Sequence, residues 1–102
     1  MKNVLVLGRE RHLVDASTEI IEEHGFNAVG VTADEEAFAL LDTGDYAAVL
    51  VGSGVEPESR PPVHAHAAPH GTAVLEARRV FGQTVHEHVR HVIVPQLLTL
   101  AG

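Results

Sequence analysis

The feature that most constrains this chain is a pair of short, wholly apolar runs that both end in glycine. Val4-Leu5-Val6-Leu7 is closed by Gly8, and Ala47-Ala48-Val49-Leu50-Val51, entered from Tyr46, is closed by Gly52. A strand with one face in water alternates apolar and polar residues. A strand covered on both faces does not, and this is the pattern of a parallel sheet. Between the runs lie two stretches of helical period. In the first, Leu13, Ala16, Ser17, Ile20, Ile21 and His24 recur on one side, Glu19, Glu22 and Glu23 fall largely on the other, and Gly25 follows as a stop. In the second, Ala37, Phe38, Leu40 and Leu41 form the apolar face, and Asp34, Glu35 and Glu36 suit the positive end of a helix that Thr32 or Asp34 can cap. Asn27 to Thr32 reads as a strand between them. The order strand, helix, strand, helix, strand implies right-handed crossovers and a parallel sheet. With 102 residues the chain is the size of one domain. The expected fold class is α/β, an open parallel sheet of about four strands with flanking helices.

Beyond Gly52 the pattern is less regular. Gly52 to Pro62 is loop-like in composition, and Val63 to Gly71, with three histidines and Pro69, reads as a mobile loop. Val74, Leu75, Ala77, Arg78 and Phe81 suggest a helix over 72–81 that Gly82 ends. After Thr84 both periods fit, and Pro95 disfavours one straight helix. The preferred division is a strand near Gln83–Val89 and a helix within Val92–Ala101.

Composition excludes several function classes. There is no cysteine, so no disulfide, thiolate metal site or cysteine nucleophile. Fourteen acids against seven bases give a net charge of −7, and nucleic-acid binding needs a basic face that this balance does not supply. No run approaches the ~20 apolar residues of a membrane span, and the four apolar residues before Gly8 are too few for a signal peptide, whose apolar stretch is about 7–15 residues. The expectation is a cytoplasmic protein.

The first half resembles bacterial response-regulator receiver domains. The likeness is carried by Lys2-Asn3-Val4-Leu5-Val6-Leu7, Glu23-His24-Gly25-Phe26-Asn27-Ala28-Val29, Thr32-Ala33-Asp34-Glu35-Glu36-Ala37-Phe38-Ala39-Leu40-Leu41 and Asp45-Tyr46-Ala47-Ala48-Val49-Leu50-Val51, in that order and spacing. It covers residues 1–54, about half the chain. The resemblance implies a flavodoxin-like fold. It also implies a phosphoryl-accepting site, and there the carry-over fails. A receiver holds Mg²⁺ with acids after its first strand, where this chain has Gly8-Arg9-Glu10. Its acceptor aspartate ends the third strand, where this chain has Gly52-Ser53-Gly54. Its fifth-strand lysine has no counterpart, since Lys2 is the only lysine. Phosphoryl transfer of this kind needs acceptor, metal and cation together, so the resemblance implies a regulatory or protein-interaction module that is not phosphorylated on aspartate. Measured against the family, the chain also reads as truncated.

Three candidate sites follow. In open α/β sheets ligands bind beyond the carboxyl ends of the strands, which selects Gly8, Arg9, Gly52, Ser53 and Gly54; the glycines admit close backbone approach, and Arg9 is free to meet an anion. The same glycines equally serve tight turns and nothing else. The second candidate is histidine. Six of the eight lie between His64 and His91, and His64-Ala65-His66 and His86-Glu87-His88 would each present two imidazoles on one side of an extended segment, with His70 as a further ligand. A divalent transition metal is the cofactor such a set would take, and a solvated histidine-rich loop is the alternative. The third is the apolar segment Val92 to Leu100, which is either core or covered by a partner; a homodimer through it is expected, on the argument that a large exposed apolar patch marks an interface, with core packing in a monomer as the alternative.

Overall fold

A computed structural model describes residues 2–77 and 89–101. β1 (Asn3–Leu7) leads through α1 (Arg11–Glu23) to β2 (Asn27–Val31), then α2 (Asp34–Leu41) and β3 (Ala48–Val51). A 3₁₀ turn at Pro57–Ser59 runs into α3 (Arg60–Ala67), a second 3₁₀ turn at Ala68–His70 follows, and β4 is Ala73–Glu76. A π-helical turn at Val89–Ile93 opens the last helix, α4 (Val94–Ala101). The four strands form one parallel sheet in the order β2-β1-β3-β4. Among the described residues the fold is the expected open α/β sheet.

Because successive strand residues face opposite sides, the two apolar runs build two cores. Val4, Val6, Ala48 and Leu50 face α1 and α4, meeting Val14, Ile20, Ile21, Ile93 and Leu97. Leu5, Leu7, Val49 and Val51 face α2 and α3, meeting Ala37, Leu41, Val63 and Ala67. Both sets of strand side chains are almost wholly buried, which explains why neither run contains a polar residue. Gly25 ends α1 with φ +92°, a left-handed conformation that glycine adopts without steric cost.

Three expectations are corrected, two in the second half and one at α2, and a fourth falls almost wholly outside the described residues. The segment read as a loop over Val63 to Gly71 is largely α3 and the 3₁₀ turn after it. Pro61 and Pro62 do not prevent the helix, because they sit in its first turn, where the missing N–H has no intrahelical partner to lose. The helix expected over 72–81 is a strand at Ala73–Glu76, held by parallel pairing to Ala48–Val51; tertiary pairing overrides a helical pattern this short. Of the strand expected near Gln83–Val89, only Val89 lies within the described residues, and it opens the π-helical turn. Finally, α2 has Ala33 at its N-cap, with no side-chain cap from Thr32 or Asp34.

The C-terminal segment is core rather than patch. Val89, Ile93, Val94 and Leu97 are buried against α1 and the sheet, and among the described residues the large apolar ones that remain exposed are Val29 (40 %) and Leu98 (52 %). They lie singly on different elements, so among the described residues Val92 to Leu100 does not form the large exposed patch from which a homodimer was expected. Among the described residues no helix is long and apolar enough to cross a membrane.

Candidate functional site

The carboxyl ends of β1 and β3 are adjacent, and their glycines meet. The Gly52 N–H donates to the Leu7 carbonyl at 2.8 Å, and the Gly8 N–H to Val31 at 3.2 Å. A Cβ on Gly52 would stand 3.3 Å from the Leu7 oxygen and 3.5 Å from Gly8 Cα. The first of these is tighter than ordinary contact and the second is ordinary, so a side chain at Gly52 would make the end of β1 give by a few tenths of an ångström. Gly8, Arg9, Gly52, Ser53 and Gly54 all line one cavity of about 350 Å³ at this edge. It continues down the α1 side of the sheet between Val6, Leu13, Val14, Leu50, Ala77 and Val89.

Arg9 is not free for an anion. Its Nη2 donates to Asp34 Oδ1 at 2.7 Å, to Glu56 Oε2 at 2.8 Å and to Ser59 Oγ at 3.3 Å. Nη1 donates to the Thr32 carbonyl at 2.8 Å, and Nε reaches both Glu56 oxygens at 3.2 Å. Ser59 Oγ–H in turn donates to Asp34 Oδ2 at 2.6 Å. One guanidinium thus ties the β1–α1 connection to the start of α2 and to the segment before α3, in the forked geometry that suits arginine to carboxylates. The electrostatics agree. The Ser59 hydroxyl, reinforced by Arg9, holds the Asp34 carboxyl below its ordinary range against partial burial. Hydrogen bonds from Arg9, and then from its own backbone N–H, do the same for Glu56. The guanidinium is raised further above its own ordinary value by Glu56 and Asp34. The formal charge of the three side chains sums to −1, so the anion role expected for Arg9 is corrected.

A second arginine closes the same rim. Arg60 Nη1 donates to Glu76 Oε1 at 2.8 Å, and Nη2 to the carbonyls of Gly52 and Val55, each at 3.1 Å. It pins the loop after β3 to the end of β4. Nothing in the sequence marked Arg60, Glu76, Glu56 or Ser59, because each acts through a residue distant in the chain.

The histidines do not assemble as expected. His64 and His66 lie on α3, where residues two apart are turned by about 200° rather than sharing a side. His66 Nδ1 is 2.7 Å from Asp42 Oδ1, and its ring stacks on Phe38 at a centroid distance of 4.5 Å and an interplanar angle of 11°. His64 Nε2 is instead 3.8 Å from Glu76 Oε2. The His70 ring lies against Gly44, where an added Cβ would be 2.9 Å from its Nδ1. Among the described residues no group of three or more His, Asp or Glu side chains is placed to hold a metal ion. His86 and His88 lie outside the described residues.

Comparison with known proteins bears on the fold. No protein-family model matches the sequence, and no curated protein matches it. Solved structures do. A chain of the crystal structure of the histidine kinase ThkA in complex with the response regulator protein TrrA superposes with TM-score 0.70 at 16% identity, covering 100% of both chains. A CheY-like response regulator receiver domain from Methylobacillus flagellatus matches with TM-score 0.65 at 14% identity over 98% of each chain. A de novo designed Rossmann 2x3 fold protein matches with TM-score 0.71 at 17% identity, over 97% of this chain and 91% of the design. The fold is therefore receiver-like, of the flavodoxin-like kind. A design with the same architecture matches as well as the regulators do, so the likeness is one of fold.

Proposed function

We propose that this domain is a receiver-like regulatory module that acts through protein contacts and takes no phosphoryl group at the end of β3. The observation that carries the reading is the occupant of the sheet's carboxyl edge. Glycines stand at both strand ends, and the nearby carboxylates Asp34 and Glu56 are engaged by Arg9. Phosphoryl transfer needs an acceptor carboxylate, a metal and a charge-stabilising cation around one point. Here the internal cation competes with any metal for the acids, and Gly52 offers no acceptor. Protein contact as the mode of action is supported by the matched chain that comes from a kinase–regulator complex. A cytoplasmic location goes with the reading.

The test is intact-mass measurement after incubation with acetyl phosphate and Mg²⁺. The mass is expected to stay unchanged. A stable gain of one phosphoryl group overturns the reading. Sedimentation equilibrium tests self-association separately: with Ile93, Val94 and Leu97 buried in their own core, a monomer is expected.

A further inference from the structure

Three polar residues are buried in the described part of this protein: Ser17, Ser59 and Thr72. Two are satisfied. Ser59 Oγ–H donates to Asp34 at 2.6 Å, and Thr72 Oγ1–H donates to the Tyr46 carbonyl at 2.8 Å. Ser17 is 6 % exposed, and among the described residues its hydroxyl makes no hydrogen bond. A serine inside a helix ordinarily relieves itself on the carbonyl one turn back. The neighbouring Thr18 does something close to this, donating to the Asp15 carbonyl at 2.9 Å. Buried hydroxyls without partners are rare enough that each calls for a reason, and Ser17 lines the cavity at the sheet edge.

We propose that this cavity is a binding site for an uncharged small molecule with an apolar body and one hydrogen-bonding group, which pairs with the Ser17 hydroxyl. The walls set the apolar body: Val6, Leu13, Val14, Leu50, Ala77 and Val89 surround Ser17. The volume, about 350 Å³, lies at the small end of the range for small-molecule pockets. The charge at the rim sets neutrality. Among the described residues Arg9, which lines the cavity, is bound to Asp34 and Glu56 beside it, and Glu10 adds a further acid to the lining, so an anion there meets net negative charge. A cation would have to strip its hydration against an apolar wall that offers only a hydroxyl. A neutral group that accepts from or donates to Ser17 meets neither cost. This inference does not depend on the regulatory reading, and neither falls with the other.

Phenol and toluene are suitable probes, being alike in shape and differing by one hydroxyl. In ¹H–¹⁵N correlation spectra of the intact protein, both are expected to bind saturably, with shifts concentrated at Gly8, Ser17, Gly54 and Ala77. Ser17→Ala removes the partner without adding bulk and should lower the phenol-to-toluene affinity ratio about tenfold, the loss expected for one hydrogen bond in a desolvated site. Ser17→Leu fills the space and should abolish both. If that variant does not fold, as judged by loss of spectral dispersion, Ser17→Ala decides alone. The proposal is overturned if neither probe saturates the wild-type protein, as when water or the protein's own chain occupies the space. It is also overturned if the ratio is unchanged in Ser17→Ala, or if folded Ser17→Leu binds as the wild type does.

Discussion

The two faces of the sheet are built from the same two strands, yet they end differently at the carboxyl edge. On the α2–α3 face Leu5, Leu7, Val49 and Val51 are capped by two arginines, Arg9 and Arg60, whose hydrogen bonds draw four connections together. On the α1–α4 face Val6 and Leu50 run up into a cavity that contains an unpaired hydroxyl. The difference begins with the parity of the chain. Arg9 follows Leu5 and Leu7 at a spacing of two, and its side chain reaches the start of α2 and the segment before α3. The lesson is that a receiver-like edge can be closed on one side by internal charge and left open on the other.

The largest expected effects come from deleting matched core residues on the two faces. Leu5→Ala, on the closed face, should cost about 3–5 kcal/mol, and Leu50→Ala, beside the cavity, about 2–3 kcal/mol, since the cost depends on how far the surroundings can relax. Urea unfolding of both variants measures the gap, and equal losses would break the distinction. Next is Gly30→Ala in β2. An added Cβ there runs into Val14 and, at 3.1 Å, Thr18 Cγ2, so α1 must shift on the sheet. Overpacking of this kind costs roughly 1–3 kcal/mol, and the same unfolding curves report it.

Arg9→Met should cost on the order of 1–2 kcal/mol at neutral pH, with the exposed share of the cluster discounted for screening. The pH dependence has a definite sign. Asp34 and Glu56 are held below their unfolded values, so their contribution is complete above about pH 5 and is lost as pH falls through the folded values. The guanidinium is raised, so its contribution persists through neutral pH and fades only in strong alkali. The stability gap between wild type and Arg9→Met, followed by thermal unfolding against pH, should therefore begin to narrow below about pH 5 and close only once pH has fallen through the depressed folded values. The smallest effect is expected at Ser17→Ala, a gain of about 0.5–1 kcal/mol from better helix propensity and removal of an unpaired hydroxyl. A loss in the absence of any ligand would mean that the hydroxyl has a partner in solution.

What the sequence made legible follows the range of the interactions involved. β1, β3, α1 and α2 are each specified within their own residues, by continuous burial or by a helical stripe, and they could be read locally. The meeting of Gly8 with Gly52–Gly54 followed from one further step, the adjacency of two buried strands. α3 was obscured because Pro61 and Pro62 signal a loop in general and are tolerated only in a helix's first turn. β4 was obscured because Ala73–Glu76 is fixed as a strand by pairing with β3. Arg9 was visible as a residue but not in its role. Its partners Asp34 and Glu56 lie 25 and 47 positions away, and no local pattern joins them. The histidines misled for a related reason: the spacing in His64-Ala65-His66 aligns two rings on a strand and opposes them on a helix.

The claim on which the account turns is that Arg9 takes up the carboxylates at the sheet's carboxyl edge. Side-chain ¹³C chemical shifts followed against pH measure this directly. Asp34 and Glu56 are expected to titrate below the ordinary carboxylate values of about 3.9 and 4.3 in the wild type, and in Arg9→Met both are expected to move up part of the way, since the Ser59 hydroxyl still holds Asp34 and its own backbone N–H still holds Glu56. Wild-type carboxylates that titrate at ordinary values, or that do not move when Arg9 is replaced, would contradict the account.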